Sequence, residues 1–259
     1  MARGRFILAA AVVFGAASVS ADLPDGERVI DRLSAVFRQM RDLTADVEIH
    51  TARRQASGNI VLQYVRRGSK ENSREEHITR RYIVVTRIKT EDGLASIKQL
   101  NDGEYLWVER RIAATGEVRV IRRKVKPDEP VPGGFGPDWR KEIDLWRGKY
   151  VFRTLRADTF DEEPVTVVEG IRKEAEKDAD AGAHPGLSLP ERVVLYVSTR
   201  DDFPRKVELF ATKSRDGDAG ARETPAVSVR LMHVKLNEGL DPETFVYVVP
   251  QGAELILAK

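Results

Sequence analysis

The sequence predicts a mainly β chain with two helices, an α+β fold in which a long antiparallel meander is covered on its apolar face. Three observations lead there. Most of the chain alternates apolar and polar residues with the period of a half-buried strand. Turn dipeptides such as Asp102-Gly103 and Thr115-Gly116 punctuate the alternating runs. Only two stretches have a helical period instead.

The first helix spans Asp25 to Met40. Val29, Ile30, Leu33, Val36, Phe37 and Met40 form one stripe, charged residues fill the other face, and Asp25 is placed to cap the start. The period then changes. In Leu43–Thr51, Leu43, Ala45, Val47 and Ile49 alternate with Thr44, Asp46, Glu48 and His50. A turn is expected at Ser57-Gly58. Ile60–Arg66 follows, with Ile60, Leu62 and Tyr64 on one face. Tyr82–Ile88 alternates and is rich in β-branched residues. Ile97–Leu100 is joined to Tyr105–Ile112 through Asn101-Asp102-Gly103, a strong hairpin signal, and Glu117–Val125 comes next.

Pro127 to Pro137 interrupts the strands with four prolines and three glycines. The second helix is expected from Pro137 to Arg147, with Trp139, Ile143 and Trp146 on one face and Gly148 as its stop. Tyr150–Leu155, Val165–Val168, Val193–Thr199, Lys206–Thr212 and Ala226–Leu236 read as further strands, for about ten in all. Polar loops are expected at Glu174 to Gly186 and at Arg215 to Glu223. The apolar face of such a sheet must be covered, and the two amphipathic helices are the available covers.

Residues 1–21 read as a secretory signal peptide. Arg3 and Arg5 form a basic start, Phe6 to Ala17 are apolar or small, and Val19-Ser20-Ala21 suits signal peptidase. The apolar run is shorter than the roughly 20 residues that a membrane span needs. Residues 22–259 then form one exported domain, periplasmic in a cell with two membranes. N-terminal sequencing of the exported protein is expected to begin at Asp22; Met1 retained on a membrane-bound form would overturn this.

Removing Arg3 and Arg5 from the 43 Lys and Arg leaves as many basic residues as the 41 acidic ones. That balance gives no electrostatic case for nucleic acid. There is no cysteine, so disulfides, thiolate metal sites and a cysteine nucleophile are excluded.

Three stretches resemble LolA-like proteins. Asn101-Asp102-Gly103-Glu104-Tyr105-Leu106-Trp107 resembles their "DG…lW" hairpin. Leu195–Phe210, LYVSTRDDFPRKVELF, resembles a strand–turn–strand near their C-terminal end. Leu236–Leu255, LNEGLDPETFVYVVPQGAEL, resembles their ending, and it is the most specific of the three. The resemblance runs in order along nearly the whole exported chain. It implies a curved antiparallel sheet forming an unclosed half-barrel, with the N-terminal and central helices on its concave side. It also implies a carrier for lipoprotein acyl chains or phospholipid, acting as a monomer between membrane-bound donor and acceptor proteins. Arg67, or Arg66, best matches the arginine that sets the lid in the carriers. Gly68 stands where a proline usually follows, a departure from carrier-type lid control.

On this reading the cavity candidates are Val47, Ile49, Leu62, Tyr64 and Trp107 on the strands, with Phe37 and Trp146 on the helices. No catalytic constellation appears. His50, His77, His184 and His233 have no metal-motif spacing, and no serine lies in G-x-S-x-G. Gly133-Gly134-Phe135-Gly136 lacks the lysine of a P-loop and reads as a hinge. No metal or cofactor is expected. Arg80-Arg81, Arg110-Arg111 and Arg122-Arg123-Lys124 admit two readings, a basic face for phospholipid head groups or solvated outer positions that discourage edge pairing. A sensor module of the same fold that binds a partner protein is the first functional alternative. An exported hydrolase is the second.

Overall fold

The computed structural model describes residues 23–52, 54–67, 77–91, 93–125, 139–173, 189–211 and 224–258. Helix α1 spans Gly26–Gln39. The Asp25 side chain accepts a hydrogen bond from the Glu27 amide at 3.3 Å. That bond satisfies one of the free donors at the helix start. Val29, Ile30, Leu33 and Phe37 repeat at helical spacing and are fully buried.

Two meanders build the sheet. The first contains β1 (Asp42–Thr51), β2 (Gln55–Arg67), β3 (His77–Thr90), β4 (Gly93–Asn101), β5 (Tyr105–Arg111) and β6 (Val118–Lys124). Helix α2 (Trp139–Lys149) follows. The second meander contains β7 (Tyr150–Phe160), β8 (Glu163–Arg172), β9 (Arg192–Ser198), β10 (Pro204–Phe210) and β11 (Val227–Leu236). Antiparallel pairing of β1 with β11 joins the two. A short 3-10 turn at Pro242–Phe245 leads to β12 (Glu254–Leu257), which runs parallel to β6. The strand order is β12-β6-β5-β4-β3-β2-β1-β11-β10-β9-β8-β7, so among the described residues β12 and β7 are the edges and the curved sheet does not close.

The inner face packs on α1. Leu43 and Val47 of β1, Ile60 and Leu62 of β2, Tyr82 and Val84 of β3 and Leu106 of β5 join the α1 stripe in one apolar cluster. Helix α2 adds Ile143 to this cluster and packs against α1 and β7. Gly26 lets α1 touch the sheet: a Cβ there would stand 2.5 Å from Arg153 Cα.

Two expectations are corrected, and one unannounced strand is found. Ser57-Gly58 is not a turn. Both residues lie inside β2, where Gly58 pairs with Val47 and Thr86. The glycine serves close approach of two backbones. A Cβ on it would fall 1.7 Å from the Val85 carbonyl oxygen. The actual turn closes at Thr51, whose amide donates to the Arg54 carbonyl at 2.9 Å. Helix α2 does not stop at Gly148 but runs to Lys149, directly into β7. The carbonyls left free at its end find a donor in Lys173. Lys173 Nζ donates to the Gly148 carbonyl at 2.7 Å, and its amide donates to the Lys149 carbonyl at 2.9 Å. Finally, β12 is a strand that the sequence does not announce. All four of its residues are exposed, so no buried alternation marks it. The expected loops at 127–137, 174–186 and 215–223 lie outside the described residues.

Candidate functional site

Six of the seven cavity candidates come together. Phe37, Val47, Leu62 and Tyr64 lie in the cluster between α1 and the sheet, and Ile49 and Trp146 pack at its margin. The Phe37 ring meets Phe203 at 5.2 Å and 60°. Trp146 meets Tyr150 at 6.4 Å. These contacts fill the inner face, because the α1 stripe occupies it.

Trp107 is a correction. Leu106 faces inward, so its neighbour faces outward by strand alternation. Trp107 pairs with Leu100 there, stacks on Tyr247 at 4.9 Å and donates from Nε1 to Asp102 at 3.1 Å. Size alone favours the tryptophan for the core, but the register places the smaller of the two adjacent apolar residues there. Arg67 ends β2, and its side chain lies outside the described residues, as do those of Trp139 and His77.

Open space occurs instead at one end of the sheet, where α1 ends, β1 begins, and β2 and β11 end. A cleft of about 740 Å³ is lined there by Met40, Arg41, Tyr64, Val65, Glu238 and Leu240, among others. Its walls are tied by hydrogen bonds that backbone amides donate. The Arg41 amide donates to Asn237 Oδ1 at 2.6 Å, and the Arg41 carbonyl accepts from the Tyr64 amide at 2.8 Å. Buried Asp42 accepts at Oδ2 from the Gly239 amide at 3.2 Å. Asn237 and Gly239 adopt positive φ, 59° and 83°. Asparagine and glycine tolerate that region best. Sequence reading misses this cleft because three distant stretches form it. The one local signal is Asn237-x-Gly239 immediately after a strand.

A second cleft of about 510 Å³ lies by the β7–β8 and β9–β10 turns and is lined by charged residues. Arg205 and Glu163 form a two-pronged pair at 2.7 and 2.9 Å, and Arg205 also binds Asp201 at 2.7 Å. Burial pushes the Glu163 carboxyl up, but hydrogen bonds from Arg205 and Ser198 outweigh it and hold the carboxyl below its usual range. Arg230 pairs with Asp161 at 2.9 Å and with Glu48 at 3.0 Å. His233 sits in β11 with φ 50° and approaches Asp46 Oδ2 with Nδ1 at 2.8 Å. The register shift beside Asp46 marks this as a bulge. Asp161, Glu163, Asp201, Arg205 and Arg230 are thus held in ion pairs. Among the described residues, no group of three His, Asp or Glu side chains could hold a metal ion.

No family model matches the chain, and no curated protein matches it. Solved structures do. LprF from Mycobacterium bovis is 11% identical with a TM-score of 0.46, and the match covers 83% of this chain and 94% of that one. The MucA/MucB complex of Pseudomonas aeruginosa matches at 8% identity and a TM-score of 0.43, covering 86% of this chain. The match spans only 60% of that complex's matched chain. A LolA superfamily protein from Nitrosomonas europaea is 14% identical with a TM-score of 0.29, over 86% of this chain and 98% of that one. At such values the function must rest on this chain's own residues. The chain is similar to LolA superfamily proteins, the family that its hairpin and closing motifs resemble.

Proposed function

We propose that this chain is an exported binding protein that holds an acyl chain of a lipoprotein or lipid between α1 and the inner face of the sheet. It acts by binding, without covalent chemistry. One observation supports this most: an amphipathic helix, not a second sheet, covers the apolar inner face, and its buried stripe is dominated by aliphatic and aromatic side chains. Such a cover can be exchanged for another apolar body.

Magnitudes favour exchange. Burial of Val29, Ile30, Leu33 and Phe37 contributes about 1.5–3 kcal/mol each, or roughly 6–12 kcal/mol together. An acyl chain of about 14 carbons brings about 0.8 kcal/mol per methylene, roughly 11 kcal/mol gross before ordering costs. The two are similar, so an acyl chain can displace the helix and the helix can expel the chain. The exposed ion pairs of α1, such as Arg32–Asp202 at 2.9 Å, add little resistance. The open cleft beside Met40, Tyr64, Val65 and Leu240 is the entrance. Its volume falls within the range of small-molecule sites.

A fluorescent acyl probe is expected to bind the processed protein saturably and to be displaced by phospholipid or lipoprotein. Native mass spectrometry of protein purified from its own envelope should show bound lipid. A folded protein with no saturable probe binding would overturn the proposal and favour the partner-binding sensor. Turnover of an ester, abolished by changing one histidine, would restore the hydrolase.

A further inference from the structure

We propose that the outer face of β3–β6, with the C-terminal segment laid across it, docks onto an anionic phospholipid membrane surface. Strand register places Arg87 and Lys89 of β3, Lys98 of β4, Arg111 of β5, and Arg122 and Lys124 of β6 on this one face. Glu109 is the only carboxylate among the strand residues of that face. It is already engaged, accepting from the Tyr247 hydroxyl at 3.0 Å and pairing with Arg111 at 3.6 Å. The other half of the outer face differs. There Arg230 meets Glu48 at 3.0 Å, Lys206 meets Glu208 at 2.6 Å, and Arg153 meets Glu169 at 2.6 Å. A processed chain with balanced charge therefore gathers an excess of cations on the strands of a single face, with the exposed Asp241 and Glu243 on the segment that crosses it.

Apolar side chains protrude from the same region. Tyr247 turns inward onto Trp107, and its neighbours Val246 and Val248 are 63% and 78% exposed. Leu94 on β4 is 58% exposed and Leu257 on β12 is 61% exposed. Cations lie against the rings between them. Arg122 stands 4.8 Å from Tyr105 and 5.4 Å from Trp107, and Lys98 stands 5.6 Å from Tyr247. Protruding aliphatics, aromatics with polar tips, and an excess of cations are the set that a membrane–water interface selects. A nucleic acid would use the cations but leave the aliphatics in water. A folded protein partner is expected to need a groove or a flat apolar patch, not isolated protruding side chains on a basic field.

This inference does not depend on an acyl chain being held inside, and its test reads a different quantity. The processed protein is mixed with vesicles of phosphatidylcholine alone or with about one-third phosphatidylglycerol, and partitioning is followed by sedimentation. Binding is expected to the anionic vesicles only, and to weaken as salt rises from about 0.1 M to about 1 M. Arg87→Glu with Lys124→Glu should weaken it about tenfold or more. Val248→Asp should weaken it severalfold at either salt. Arg200→Glu with Lys235→Glu, a matched reversal outside this face, should leave it unchanged. All these positions are exposed, and circular dichroism checks that each variant is folded. Absence of partitioning, equal loss in the two double variants, or capture of an acidic protein without vesicle binding would each overturn the proposal.

Discussion

Replacing Arg205 by alanine is expected to cost about 3–5 kcal/mol of folding stability at neutral pH. For a domain of this size that corresponds to about 2–4 °C in Tm per kcal/mol. The Arg205 side chain is only 9% exposed, and its partner Glu163 only 18%. Besides Glu163 and Asp201, the guanidinium reaches the Phe203 carbonyl at 3.2 Å. Phe203 is fully buried and meets Phe37 of α1, so the pair also holds the turn that presents this ring to the helix. Removing the arginine leaves a half-buried carboxylate without its cation, which is where most of the cost arises.

The pH dependence has a definite sign. A carboxyl whose folded value lies below its unfolded one contributes stability that is complete above the unfolded value. That contribution is lost as pH falls through the folded value. Glu163 is such a group. Its contribution should fade below about pH 4, the ordinary carboxylate range. The difference between parent and Arg205→Ala should therefore begin to shrink as pH falls below that range. Urea unfolding at pH 7 and near pH 3.5 measures this. The double change Arg205→Met with Glu163→Leu should recover much of the loss, because it removes the more buried of the two carboxylates that lose their cation. A single-variant loss under about 1 kcal/mol would mean that water replaces the arginine freely.

Much of the fold is legible because burial imposes a period on the sequence. The α1 stripe from Val29 to Met40 and the alternation in Leu43–Thr51 are each dictated by one buried face. The sequence becomes ambiguous where burial stops dictating. Gly58 reads as a turn residue, since nothing local reveals that the Val85 carbonyl passes where its Cβ would be. Glu254–Leu257 has no buried member to set a phase. Leu106 and Trp107 are both apolar because both faces of β5 are covered, one by the core and one by Tyr247. The cleft is the least legible feature. Met40, Tyr64 and Leu240 are brought together only by the pairing of β1 with β2 and β11.

Phe37→Ala carries the second large expected effect, and it joins stability to function. Truncating a buried phenylalanine costs about 3–5 kcal/mol, through lost burial and the cavity left behind. Phe37 is fully buried among Phe203 and the inner-face strands, so the full penalty applies, and Tm should fall accordingly. If α1 and an acyl chain compete for one surface, the same change weakens the competitor. Each ~1.4 kcal/mol of lost helix docking should then raise acyl-probe affinity by about tenfold, up to the point where the helix is already displaced. The expected outcome is a less stable protein that binds the probe more tightly, by about tenfold or more. Leu231→Ala serves as the control: Leu231 lies in the same cluster but on β11, so its loss should lower Tm without raising affinity. Probe titration and thermal unfolding of both variants decide between the cases. Lower affinity in Phe37→Ala would mean that the ring itself touches the ligand. Unchanged affinity would mean that the cleft at Met40 and Tyr64 binds the probe alone and that α1 is a fixed part of the core; either result would overturn the exchange mechanism.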